Sequence, residues 1–122
     1  MKFLRGAILA LVVIFAAACA SEGEVSELNE LLNRPDVVVV DVRTAEEFAQ
    51  GHIVGALLVP ADTITQEVML AQGIDFEQTV VVYCRSGARS QAAAAALREM
   101  GFAAVVDIGG MLDWQNEVNW SD

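Results

Sequence analysis

The sequence predicts an α/β domain with a small parallel sheet of four to five strands and helices on both faces. Three observations lead to this prediction. Short runs of β-branched residues alternate along the chain with helix-forming segments. Two of these runs are almost continuously apolar, which is typical of strands that are buried on both faces of a sheet. The 122 residues are enough for one domain with a hydrophobic core, and no repeat or linker divides the chain.

The strands are predicted from apolar runs that end in a turn or at a proline. The first run, Val37 to Val42, is broken only by Asp41, and Pro60 ends the short second run. The third run leads directly into Cys84, and the fourth precedes a pair of glycines. The predicted strands are, in chain order, residues 37–42, 56–59, 79–83 and 103–108.

The helices are predicted from capping residues and apolar spacing. Ser26 can cap the first helix, whose three leucines fall on one side, and Thr44-x-x-Glu47 is a capping box that opens the second. An alanine-rich segment before Gly101 combines high helix propensity with a glycine in the position that commonly ends helices. The predicted helices are residues 26–33, 44–50, 65–71, 90–100 and a short last helix that contains Trp114.

The first eighteen residues predict an export signal that does not belong to the folded domain. Lys2 and Arg5 form a short basic start, and residues 6–18 are an unbroken run of apolar and small residues. This run is shorter than the roughly 20 residues that a transmembrane helix needs. A basic start, a short apolar centre and small residues at its end are typical of a signal peptide, which we assign to residues 1–18.

Cys19 follows three alanines, and this arrangement resembles the lipobox of bacterial lipoproteins, although Ala16 stands where leucine is usual. The resemblance implies lipid attachment at Cys19, with residues 19–24 as a tether. It also implies a location at the periplasmic face of a bacterial membrane, with the outer membrane favoured. The alternative is ordinary cleavage near Ala18 or Ala20, which would leave a soluble periplasmic protein.

The charge of the chain argues against binding to nucleic acid and to anionic lipid headgroups. After residues 1–18 are removed, five arginines, no lysine and seventeen acidic residues remain, which is a formal charge of −12. Such a surface repels nucleic acid and anionic lipid headgroups. We therefore expect no nucleic-acid partner, and contact with a membrane only through the lipid anchor.

A cysteine loop is the strongest functional signal in the sequence. Ligand sites in parallel sheets lie beyond the carboxyl ends of the strands, and Cys84 lies at such an end, just before a predicted helix. The helix N-terminus, two arginines and inward-pointing N–H groups would all favour a thiolate. A buried spectator cysteine and solvated arginines are the alternatives. The sequence predicts Cys84 as the nucleophile and an anion-binding loop of Arg85, Ser86, Gly87, Ala88 and Arg89.

The spacing Cys-x4-Arg is one residue shorter than the Cys-x5-Arg loop of cysteine phosphatases. Together with three further motifs, this loop resembles that of the single-domain rhodaneses over nearly all of residues 25–120, and we assign residues 25–122 to a rhodanese-like domain. Those motifs are Asp41-Val42-Arg43, Gly51-His52-Ile53 and Gly109-Gly110-Met111.

The resemblance implies a sulfurtransferase that works through a persulfide on Cys84. The donor would be a small anion such as thiosulfate, and the acceptor would be cyanide or a thiol. We expect no cofactor, no metal and a monomeric protein. Two alternatives remain open at this point: a persulfide carrier or sensor with slow turnover, and a cysteine phosphatase or arsenate reductase.

Four further residues are predicted to support the site. Asp41 and Arg43 lie near the end of a strand, and we expect Arg43 to form an ion pair with Glu46 or Glu47. Glu47 could also do no more than cap its helix. We expect His52 to be structural, as its counterpart usually is in the family, with a general base as the alternative.

The lipid anchor can be tested directly. A Cys19→Ser variant should leave the membrane fraction or accumulate unprocessed, because the cysteine thiol is the site of lipid attachment. Detergent partitioning and N-terminal sequencing of the mature protein measure both effects. A mature chain that begins at a residue other than Cys19 would refute the lipoprotein assignment.

Overall fold

The computed structural model describes residues 20–122 of the protein, with side chains described from residue 26 onward. The predicted signal peptide and Cys19 lie outside the described residues. Within the described part of the chain, no helix combines the length and the apolar character that crossing a membrane requires.

The centre of the fold is a parallel sheet of four strands, in the order β3-β1-β4-β5. The sheet and its flanking helices confirm the predicted fold class. A second, antiparallel pair of two-residue strands, β2 and β6, was not predicted. The strands are β1 (Val37–Asp41), β2 (His52–Ile53), β3 (Leu57–Leu58), β4 (Thr79–Cys84), β5 (Ala104–Gly110) and β6 (Trp120–Ser121).

The described part of the chain also contains four α-helices and three single turns of 3₁₀ helix. The predicted last helix consists of two of these 3₁₀ turns, on either side of Trp114. The helices are α1 (Ala20–Leu32), α2 (Ala45–Ala49), α3 (Gln66–Ala71) and α4 (Ala88–Glu99), and the 3₁₀ turns are Ala61–Thr63, Met111–Asp113 and Gln115–Glu117.

The two predicted helix caps have different outcomes. Thr44 and Glu47 form the predicted capping box at the start of α2, in which each side chain accepts a hydrogen bond from the other residue's backbone. The prediction that Ser26 caps α1 is wrong, because the helix already begins at Ala20 and residues 20–24 are part of it. Alanine and glutamate in this segment favour helix strongly enough to continue it across Gly23.

The apolar residues of the central strands point alternately to the two faces of the sheet. Val80 and Val82 of β4 pack with α3 and α4 on one face. Val81 and Tyr83 of the same strand pack with α1 and Trp114 on the other face. Burial on both faces explains why these strands read as continuous apolar runs.

The strand register brings the functional residues to one edge of the sheet. Asp41 at the end of β1 lies opposite Tyr83 of β4, and Cys84 lies opposite Gly110 after a register shift in β5. All three strands therefore end at the same edge. The cysteine loop follows β4 there, as expected for a parallel sheet.

A buried ion pair closes the end of β1. The Arg43 guanidinium donates hydrogen bonds to both carboxylate oxygens of Asp41, the shortest at 2.7 Å, and to the carbonyl of Gly51 at 2.6 Å. Arg43 is 3% exposed and Asp41 is fully buried. The prediction that Arg43 pairs with Glu46 or Glu47 is therefore wrong, because Asp41 lies two residues away on the same strand end.

Removal of this guanidinium should be strongly destabilising. An Arg43→Met variant would leave the Asp41 carboxylate buried without its counter-charge, which typically costs about 3–5 kcal/mol of unfolding free energy. Urea denaturation of the purified protein measures this loss.

The exposed ion pair between Arg34 and Asp36 provides the matched control. Its nitrogen–oxygen distance is 2.6 Å, similar to that of the buried pair, but both side chains are about half exposed. An Arg34→Met variant should leave the unfolding midpoint nearly unchanged. Equal midpoints for the two variants would show that Arg43 is not a structural support.

Candidate active site

Cys84 is the last residue of β4, and its side chain is fully buried beneath the loop that follows. The sulfur accepts hydrogen bonds from the backbone N–H groups of Gly87, at 3.0 Å, and Ser90, at 3.4 Å. The Ser90 hydroxyl oxygen lies 3.5 Å from the same sulfur. The two N–H groups point hydrogen at the sulfur at the N-terminus of α4, where the helix dipole adds partial positive charge.

The environment favours the thiolate. Burial, the largest single effect, raises the pKa of Cys84, but the hydrogen bonds from the Ser90 hydroxyl and the loop N–H groups outweigh it. The net result is a pKa below the ordinary value for a cysteine. A larger fraction of the sulfur is therefore ionised at neutral pH, and the thiolate is the reactive form of cysteine.

Two glycines allow the loop to take this shape. Gly87 has φ = +108°, a conformation that side chains disfavour, and this conformation turns its N–H toward the sulfur. Gly110 lies beneath the loop, and a Cβ atom there would be 2.6 Å from the carbonyl oxygen of Arg85. The structure therefore places Gly110 directly against the backbone of the cysteine loop.

Glu47 and Arg89 form a two-point ion pair beside the loop. The terminal nitrogens of Arg89 donate to Oε1 and Oε2 of Glu47, at 2.7 and 3.0 Å. Hydrogen bonds from Arg89 are the main reason that the pKa of Glu47 is lowered to about 2. Glu47 thus caps α2 and also binds the last arginine of the loop, a contact that the sequence did not predict.

The remaining loop side chains face solvent. Arg85, Ser86 and Ala88 are exposed. Arg85 forms no ion pair with any of the described residues, and it lines a cleft of about 260 Å³ together with Arg43, Glu47, Gln50, Met111 and Leu112.

His52 makes its contacts with Phe48 and Ser121. Its Nδ1 lies 2.8 Å from the carbonyl oxygen of Phe48, and its ring stacks on the Phe48 ring at a centroid distance of 3.7 Å. Nε2 lies 3.4 Å from the hydroxyl of Ser121. Among the described residues, the hydrogen-bond partners of the Cys84 sulfur are Gly87 and Ser90, and His52 is not one of them.

Across residues 26–122, no group of three or more His, Cys, Asp or Glu side chains is arranged to hold a metal ion.

Sequence reasoning missed three residues that shape the site. Ser90 contacts the sulfur, and its place in the first turn of the helix after the cysteine could have indicated this. Tyr83 accepts a hydrogen bond from the Ile53 N–H at 3.0 Å, and its ring lies 5.7 Å from the Arg43 guanidinium carbon. The Trp120 ring centroid lies 5.5 Å from the same carbon, and no local pattern in the sequence predicts that contact.

Comparison with known proteins agrees with this geometry. The rhodanese-like domain model matches residues 24–117. A sulfurtransferase from Allochromatium vinosum is 41% identical over 87 residues, which are 70% of this chain and 78% of the relative. tRNA uridine(34) hydroxylases also match; the one from Hamiltonella defensa is 35% identical over 92 residues, but the chain spans only 26% of its length.

Solved structures show the same relationship. A rhodanese from E. coli, solved with anions, superimposes with a TM-score of 0.62 and 31% identity, covering 70% of this chain and 98% of that one. A human single-domain sulfurtransferase has a TM-score of 0.63 and 26% identity, covering 75% of this chain and 91% of that one. The chain belongs to the rhodanese-like family.

The contribution of Ser90 can be measured. A Ser90→Ala variant should raise the pKa of Cys84, because it removes the hydroxyl contact and keeps the backbone N–H of residue 90. The pH dependence of Cys84 alkylation by iodoacetamide reports that pKa.

Ser86 is the matched control, because it lies in the same loop but is exposed and is not among the described residues that form hydrogen bonds with the Cys84 sulfur. Ser86→Ala should leave the pKa of Cys84 unchanged. If Ser90→Ala also left it unchanged, the backbone N–H groups alone would stabilise the thiolate.

Proposed function

We propose that the protein is a sulfurtransferase that moves a sulfane sulfur from an anionic donor such as thiosulfate to cyanide or a thiol, through a persulfide on Cys84. The main support for this proposal is the environment of the Cys84 sulfur. The sulfur accepts hydrogen bonds from the backbone N–H groups of Gly87 and Ser90. The same groups that stabilise a thiolate can stabilise the terminal sulfur of a persulfide anion. Family membership and the similarity to a sulfurtransferase support the proposal.

The first step forms the persulfide. The Cys84 thiolate attacks the outer sulfur of thiosulfate and forms a new sulfur–sulfur bond. The original sulfur–sulfur bond breaks, and sulfite leaves with the bonding electron pair. Sulfite is stable as an anion, so this step needs no proton donor, which is consistent with the absence of a histidine from the contacts of Cys84.

The second step restores the enzyme. A nucleophilic acceptor attacks the terminal sulfur of the persulfide, and the bond between the two sulfurs breaks in favour of the Cys84 thiolate. Cyanide becomes thiocyanate, and a thiolate becomes a persulfide. This is covalent catalysis in which one thiolate serves first as nucleophile and then as leaving group. A low pKa favours the second role directly.

Charge near the loop favours an anionic donor. Arg85 is unpaired among the described residues and exposed at the rim of the cleft, so its guanidinium can contact the sulfonate end of a donor whose outer sulfur points inward. The chain as a whole is strongly acidic, so this local cation is needed to offset long-range repulsion.

Mass spectrometry tests the persulfide intermediate. Incubation with thiosulfate should add the mass of one sulfur atom to the protein, and cyanide or dithiothreitol should remove it. A Cys84→Ser variant should show neither the added mass nor thiocyanate formation, because a serine hydroxyl cannot form a persulfide.

A Cys19→Ser variant provides the matched control, because it removes the other of the two cysteines and keeps Cys84. It should retain both the added mass and the turnover. Thiocyanate formation by the Cys84→Ser protein would refute the assignment. A persulfide that forms in the wild type without small-acceptor turnover would identify a sulfur carrier instead.

A further inference from the structure

One arginine of the cysteine loop, Arg89, is already hydrogen-bonded to Glu47. The two terminal nitrogens of Arg89 are the atoms that could hold two oxygens of a bound oxyanion, and both donate to Glu47. Two-point pairs between a guanidinium and a carboxylate are among the strongest hydrogen-bonded contacts in proteins. The low pKa of Glu47 keeps the carboxylate ionised, and the pair intact, at neutral pH.

The groups that remain available fit a small ligand. The N–H groups of Gly87 and Ser90 converge on one point, which the Cys84 sulfur occupies at 3.0 and 3.4 Å. A single sulfur added to Cys84 needs few additional donors. A tetrahedral oxyanion seated in the loop presents three or four charged oxygens and needs a guanidinium fork as well.

We propose that Glu47 is a specificity-determining residue, because it holds the Arg89 fork and leaves the loop suited to a transferred sulfur atom and not to a tetrahedral oxyanion such as phosphate or arsenate. This inference rests on the proposed sulfur transfer for the identity of the favoured ligand. The prediction about oxyanions can be tested independently of that activity.

Glu47→Gln is the variant that isolates the effect. Glutamine at this position of a capping box can still accept the backbone hydrogen bond that caps α2, so the helix should persist. The neutral amide offers Arg89 one uncharged acceptor in place of two charged ones. The guanidinium would then be free to turn toward a ligand in the loop.

Glu46→Gln is the matched control. Glu46 lies next to Glu47 in the first turn of α2, is exposed and forms no ion pair with any described residue. Both substitutions change the net charge of the protein by the same amount. A difference between them therefore reports the contact with Arg89 and not the general reduction of negative charge.

The measurement is the protection of Cys84 from iodoacetamide by inorganic phosphate at neutral pH, which gives a dissociation constant without any sulfur transfer. The Glu47→Gln protein should bind phosphate about tenfold more tightly than the wild type, because one charge-assisted hydrogen bond is worth at least that factor. The Glu46→Gln protein should differ from wild type by less than about twofold, as expected of an exposed charge. The added substitution Arg89→Ala should abolish the gain of the Glu47→Gln variant.

Two results would overturn the inference. Equal gains in the Glu46 and Glu47 variants would show a long-range charge effect, and a gain that survives Arg89→Ala would show that Arg89 is not the group released. Either result leaves the proposed function standing as long as wild-type protein still forms thiocyanate. Conversely, the predicted difference in phosphate affinity between the variants does not require that the protein transfers sulfur.

The wild-type protein provides a second test that does not depend on the folding of any variant. In nitrogen–proton NMR spectra, the guanidinium resonances of Arg89 should stay unchanged when phosphate is added. The reason is that the Arg89 guanidinium is already hydrogen-bonded to Glu47. The Arg85 resonances should shift, because that side chain has no ion-pair partner among residues 26–122. A larger response from Arg89 than from Arg85 would refute the proposed role of Glu47.

Discussion

The contact between the Cys84 sulfur and the first turn of α4 is the interaction on which the rest of the site depends. Burial by itself would suppress ionisation of the thiol, and the N–H groups of Gly87 and Ser90 together with the Ser90 hydroxyl reverse that effect. The loop can reach this geometry only because Gly87 adopts a positive φ and Gly110 leaves room beneath Arg85. Backbone geometry, more than side-chain charge, therefore favours the Cys84 thiolate.

The two ion pairs of the site act differently. The pair between Asp41 and Arg43 is buried, and it joins the end of β1 to the Gly51 carbonyl next to β2. The pair between Glu47 and Arg89 is partly exposed and lies beside the loop, where it cancels the charge of one of the two loop arginines. The electrostatic character of the loop is consequently set by which arginine is paired, and not by the number of arginines in it.

The rhodanese-like domain is similar to relatives of very different length. It accounts for most of the Allochromatium vinosum sulfurtransferase but for only about a quarter of the tRNA uridine(34) hydroxylases.

The sequence by itself determined the features that arise from local physics. The apolar runs determined the strands, the Thr44–Glu47 motif determined a helix start, and the position of Cys84 between strand and helix predicted a stabilised thiolate. Tertiary structure decided which charged groups meet. Asp41 pairs with Arg43, Glu47 pairs with Arg89, and the Trp120 ring contacts the Arg43 guanidinium. These choices depend on distances between residues that are up to 77 positions apart in the sequence, as Arg43 and Trp120 are. Local propensity does not encode such distances, because they exist only once the sheet has set its register and the helices have packed on its two faces.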